Sequence, residues 1–110
     1  MSHEWTFSQD VDDPDRLKLQ LKEQSARIAN SLKKRSLIAH TVRVKFRWAD
    51  FTTFTRQKSV EFGLDDEEKI YKMALAIWEE HWPVGKKMRL LGVAVTGLEE
   101  PSARQIDFGF

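Results

Sequence analysis

From Thr41 to Trp48 polar and apolar residues alternate without a break. Val42, Val44, Phe46 and Trp48 share one parity, and Thr41, Arg43, Lys45 and Arg47 share the other. Successive side chains of a strand face opposite sides of a sheet, so this stretch predicts a strand with a core face and a cationic face. After a turn at Ala49-Asp50, a second strand is expected from Thr53 to Phe62. Its pattern is less regular, because Arg56 and Lys58 share parity with Phe54, Val60 and Phe62. Either the basic pair lies on the core side near a sheet edge, or a bulge shifts the register.

The same patterning places the other elements. Ser2 to Phe7 alternates, with His3, Trp5 and Phe7 on one side and Ser2, Glu4 and Thr6 on the other, which predicts a first strand. The segment Gln9 to Pro14 reads as an acidic turn in which Asp13 caps a helix, Pro14 takes its first position and Asp15 suits its positive end. Leu17, Leu21, Ile28 and Leu32 then form one stripe of a helix reaching about Lys34 or Arg35. Lys33, Lys34 and Arg35 in its last turn either complement the helix dipole or contribute to anion binding. Past Gly63, Asp65 or Asp66 caps a second helix whose stripe is Ile70, Ala74, Ile77 and Trp78, widened by Tyr71, Leu75 and Trp82 and ended by Pro83 and Gly85. Met88 to Thr96 predicts the last strand, with Leu91, Val93 and Val95 towards the helices and Gly92, Ala94 and Thr96 opposite.

Strand, helix, strand, strand, helix, strand is the order of the α+β split βαβ arrangement (βαββαβ): a four-stranded sheet with both helices on one face and an open basic face. The expected domain covers residues 1–98, and residues 99–110 are expected to be a linker and C-terminal tail.

Charge sharpens the picture of that open face. The chain of 110 residues is nearly neutral at +1, yet Lys33 to Lys58 holds eight basic residues against the single acid Asp50. Such polarisation directs a field at an anion, most naturally a polyanion. Same-face residues on a strand lie roughly 6.6 Å apart. A nucleic-acid strand carries a phosphate about every 3.4 Å, so a basic row can meet every second phosphate, a geometry suited to tracking a backbone rather than reading bases.

The remaining composition mainly excludes. Hydrophobic content of 41% indicates a folded chain. No apolar run approaches the roughly 18 residues of a membrane helix, so no membrane partner is expected. Cysteine is absent, which rules out thiolate metal sites and disulfides and fits a reducing, cytoplasmic setting. His3, His40 and His81 are too scattered for a metal site, and His40 is placed to extend the cationic face when protonated. Trp78 and Trp82 read as core, and Trp5 and Trp48 share the core parity of their strands.

The segments SHEWTF, DPDRL, TVRVKFRWADFTTFTRQ, MRLLGVAVTGL and QIDFGF, in this order and spacing, resemble the little finger of Y-family translesion DNA polymerases, in particular bacterial DNA polymerase IV. The resemblance covers essentially the whole chain. It implies a module that lies in the major groove of primer–template DNA and grips its backbones. By position it implies DNA contacts at Ser2, Thr6, Arg43, Lys45, Arg47, Arg56, Lys58, Gly92 and Thr96, and it favours the bulge that would bring Arg56 and Lys58 to the open face. It also implies a sliding clamp as partner, bound by Gln105, Ile106, Phe108 and Phe110, with Phe108 standing where Leu is usual. The Mg ions and catalytic carboxylates of such polymerases belong to a palm domain upstream, so this chain is expected to be non-catalytic, to hold no cofactor, and to be a C-terminal part of a longer polymerase. Two rivals share the strand order: an RNA-binding module, which needs aromatic rings on the open face, and a scaffolding or small-molecule-sensing domain, for which an acidic or mixed open face is expected.

Overall fold

A computed structural model of the chain describes residues 1–100. Six elements follow in order: β1 (Ser2–Val11), α1 (Pro14–Lys34), β2 (Ala39–Trp48), β3 (Thr53–Leu64), α2 (Glu67–His81) and β4 (Met88–Thr96). The strands form one antiparallel sheet in the order β1-β4-β2-β3. Both helices pack on the same face, α1 against β1 and β4, α2 against β2 and β3. The α+β split βαβ fold is therefore the one the patterning predicts.

The alternation of β2 translates directly into burial. Val42, Val44 and Phe46 are fully buried and Trp48 nearly so, while Thr41, Arg43, Lys45 and Arg47 are half-exposed on the opposite face. Helix α1 begins where its sequence signals say. Asp13 accepts from the Asp15 N–H at 3.0 Å, and Pro14 occupies the first turn, where its missing N–H costs nothing. For α2 the capping residue is Asp66, which accepts from Lys69 N–H at 3.2 Å. Trp82 stacks on Trp78 at 4.7 Å between centroids and donates its indole N–H to the Lys86 carbonyl, closing the end of α2 over the core.

Three local expectations need correction. The acidic segment from Gln9 to Val11 is strand, not turn: β1 bulges between Thr6, opposite Leu90, and Val11, opposite Met88. That bulge buries Phe7 and Val11 together while Gln9 stays outside, so pairing and burial override the local turn propensity. Trp5 has core parity yet is 49% exposed, because β1 is an edge strand. Finally, the hairpin loop spans Ala49 to Thr52. Asp50 accepts from the Thr52 N–H at 3.0 Å and from its hydroxyl at 2.6 Å, and Phe51 sits in the left-handed region at φ 69°.

The core of α1 holds two buried polar side chains. Ser25 returns its hydroxyl to the Leu21 carbonyl at 2.7 Å. Gln24 spans the helix–sheet interface: its carboxamide donates to the Leu91 carbonyl at 3.0 Å and accepts from the Val93 N–H at 2.8 Å. One side chain thus ties α1 to the two β4 residues flanking Gly92.

Candidate nucleic-acid interface

Directly opposed residues of paired strands point to the same face, so the register lays out the open face row by row. One row runs Ser2, Ala94, Arg43, Gln57 across the four strands; the next runs Glu4, Gly92, Lys45, Thr55; a third runs Thr6, Leu90, Arg47, Thr53. Thr96, Thr41 and Ser59 continue it at one end. Of the residues singled out in the sequence, Ser2, Thr6, Arg43, Lys45, Arg47, Gly92 and Thr96 are therefore gathered on one surface. Leu90, 4% exposed and outside the helix-side core, adds an apolar position between Thr6 and Arg47.

Arg56 and Lys58 are not on that surface. They oppose Val44 and Val42, whose side chains are core, so they lie on the helix side of the edge strand β3. Lys58 Nζ pairs with the Glu80 carboxylate of α2 at 3.3 Å, and the Arg56 guanidinium lies 4.7 Å from the Phe54 ring centroid. The register is continuous from Thr41 to Arg47, and the irregularity falls only beyond Ser59, so the expected bulge comes too late to turn the pair over. On this edge strand the cover from α2 is incomplete, and basic side chains tolerate core parity because they remain exposed.

Each basic residue of β2 is held by a neighbour. Arg43 Nε donates to Gln57 Oε1 at 3.1 Å, and Arg47 Nε donates to the Thr53 hydroxyl at 2.9 Å. Both contacts use Nε and leave the terminal nitrogens of the guanidinium without a protein partner among the described residues. Lys45 Nζ instead meets the Glu4 carboxylate at 3.1 Å, an ion pair that crosses β4 over Gly92. A Cβ at residue 92 would come within 3.3 Å of Glu4 Cγ and of the His3 carbonyl, so glycine keeps this crossing open. The shallow depression here, about 270 Å³, is lined by Ser2, Glu4, Arg43, Lys45, Thr55, Gly92 and their neighbours.

The Glu4–Lys45 pair and the polar β3 partners Thr53, Thr55, Gln57 and Ser59 went unassigned in the sequence. Parity already grouped Glu4 with Ser2 and Thr6, but pairing β1 with β2 across β4 requires the strand order. His40 does not extend the cationic row. Its Nδ1 lies 3.1 Å from the Val60 carbonyl and its Nε2 3.2 Å from a Glu99 carboxylate oxygen, beside the backbone bridge between Ile38 and Glu99. Among the described residues no three His, Asp or Glu side chains gather where a metal ion could sit. None of their helices is long and apolar enough to cross a membrane. The tail residues Gln105, Ile106, Phe108 and Phe110 lie outside the described residues.

Comparison with known proteins agrees with this architecture. The family model described as the impB/mucB/samB family C-terminal domain matches residues 1–108. The chain belongs to this family. Relatives include DNA polymerase IV of Bacillus anthracis, 33% identical over 93% of the chain, and DNA polymerase IV of Lactococcus lactis subsp. lactis, 39% identical over 76% of it. The chain spans only about a quarter of these relatives, 25% and 23% of their lengths. Among solved structures, the little finger domain of PolIV in complex with the beta-clamp processivity factor superposes with a TM-score of 0.69 at 21% identity, over 86% of this chain and 85% of that one. DinB from Sulfolobus solfataricus gives a TM-score of 0.70 at 18% identity, over 84% of this chain and 26% of that one. The fold of this family's C-terminal domain in the chain is thus the one seen in the little finger domain of PolIV.

Proposed function

We propose that this chain is the DNA-gripping little finger of a DNA polymerase IV-like translesion polymerase, holding primer–template duplex by its backbone during lesion bypass. The observation that carries this reading is the row Arg43, Lys45, Arg47 on an uncovered sheet face, beside the small residues Gly92, Ala94 and Thr96. Cations on β2 supply charge, and the lack of bulk on β4 lets a sugar–phosphate strand lie close to the sheet. The hydroxyls of Ser2, Thr6 and Thr96 add donors to phosphate oxygens. All these groups recognise phosphate and none is arranged to read a base edge, so the grip is independent of sequence. The paired rows of the open face carry no aromatic ring, which favours duplex backbone over the base-stacking surface of an RNA-binding module.

Nucleotidyl transfer belongs to the rest of the parent polymerase, and this domain contributes binding and position. Arg56 and Lys58 sit too far round the edge to join the row, and their contribution is a general positive field. The tail, with Gln105, Ile106, Phe108 and Phe110, supplies the sliding-clamp contact, a reading supported by its likeness to clamp-binding peptides and by the relative solved with a beta-clamp.

The test is fluorescence-anisotropy binding to a primer–template duplex over a salt series. Three phosphate contacts at about 0.9 each predict a log–log slope between roughly −2 and −3, lost on replacing Arg43, Lys45 and Arg47 together by Ala. Binding absent at low salt, or insensitive to salt, would refute the grip. Removing residues 105–110 should abolish capture by a sliding clamp and leave duplex binding unchanged.

A further inference from the structure

The three cations of the row are not equivalent. Arg43 and Arg47 are held through Nε by the neutral side chains of Gln57 and Thr53, so both keep their full charge towards solvent. Lys45 faces a carboxylate, and Glu4 is the only acid in the paired rows laid out above. The neighbouring rows have neutral Ser2 and Thr6 at the corresponding β1 positions.

From this arrangement we propose that Glu4 is an internal competitor for DNA phosphate at Lys45, and so limits the affinity of the face. The inference rests on the backbone-gripping reading above. A carboxylate and a phosphodiester are both anionic acceptors, and each would take the same Nζ protons. Only one of them can do so closely, because two anions in one row repel. Duplex binding therefore hands Lys45 from Glu4 to a phosphate and leaves Glu4 to swing away or to take up a cation. The exchange is feasible because the pair is open to water, with side-chain exposures of 33% for Lys45 and 44% for Glu4. Exposed pairs of this kind shift equilibria by about fivefold at most. Gly92 makes the competition possible: the bridge passes over its bare backbone, and a Cβ there would crowd Glu4 Cγ at 3.3 Å.

The experiment compares wild type, Glu4→Gln, Lys45→Ala and the double variant, each binding the same duplex between about 50 and 200 mM salt. Glu4→Gln should tighten binding two- to fivefold and steepen the salt slope by about 0.9, since the Lys45 contact then displaces counterions from DNA without freeing a carboxylate. In the Lys45→Ala background the same substitution should give less than half of that gain. Thermal melts of the four proteins establish that each is folded. Two results would overturn the proposal while the grip stands: weaker binding by Glu4→Gln, which would make Glu4 a positioner of Lys45, or an unchanged affinity and slope alongside salt-dependent wild-type binding. If neither wild type nor Glu4→Gln binds duplex at low salt, the grip itself fails and the competitor role with it.

Discussion

Replacing Gln24 by Met tests the joint between the helix layer and the gripping face. Gln24 is 4% exposed, and its carboxamide serves the Leu91 carbonyl and the Val93 N–H of a strand with neighbours on both sides. Methionine keeps the length and volume of the side chain but offers neither a strong donor nor a strong acceptor. Each buried backbone group left without its partner costs about 1–3 kcal/mol. The added apolar side chain returns about 1 kcal/mol, so the net loss for the two groups should be about 1–5 kcal/mol. For a domain of this size that lowers Tm by roughly 5–25 °C. The assay is thermal and urea unfolding, with amide exchange at Val93 as a local readout. Gln24→Glu should not rescue: a carboxylate still accepts from Val93 but cannot donate to Leu91, and it buries a charge. A Gln24→Met protein within 0.5 kcal/mol of wild type, or one with unchanged protection at Val93, would refute the reasoning.

Two further predictions follow from particular contacts. Arg43→Ala should weaken duplex binding more than Arg56→Ala or Lys58→Ala, because only Arg43 lies on the open face; equal losses in anisotropy titrations would show that the grip extends round the β3 edge. Hydrogen bonds from the Thr52 hydroxyl, then from the Thr52 backbone, hold the Asp50 carboxyl below the ordinary aspartate range. A depressed folded-state value means that its contribution is complete above the unfolded-state value and is lost as pH falls through the lower folded one, in the region below roughly pH 4. Asp50→Ala should remove that part of the acid sensitivity, measured as Tm against pH, and an unchanged profile would count against the turn contact.

Much of this was readable before any coordinates. Strict alternation in β2 fixed its two faces, because a half-buried strand cannot shift by one residue without exposing its whole apolar set. Asp13-Pro14 marked the start of α1 because capping is a local matter. What escaped the sequence depends on partners far along the chain. Gln24 lies outside the apolar stripe of α1, and only the approach of β4 makes it a buried bridge. For Arg56 and Lys58 the pattern left a core-side place near an edge and a bulge both open, and only the strand order, with β3 at the edge, decides for the first. Glu4 could not be matched with Lys45 because the two are 41 residues apart and joined only through the β1-β4-β2 order.

The most direct test of the central claim is an amide chemical-shift footprint of the chain titrated with primer–template duplex. The account predicts perturbations concentrated at Ser2, Thr6, Arg43, Lys45, Arg47, Gly92, Ala94 and Thr96, with the outer surfaces of α1 and α2 silent. A footprint centred on the helices, with the open-face residues unmoved, would contradict it.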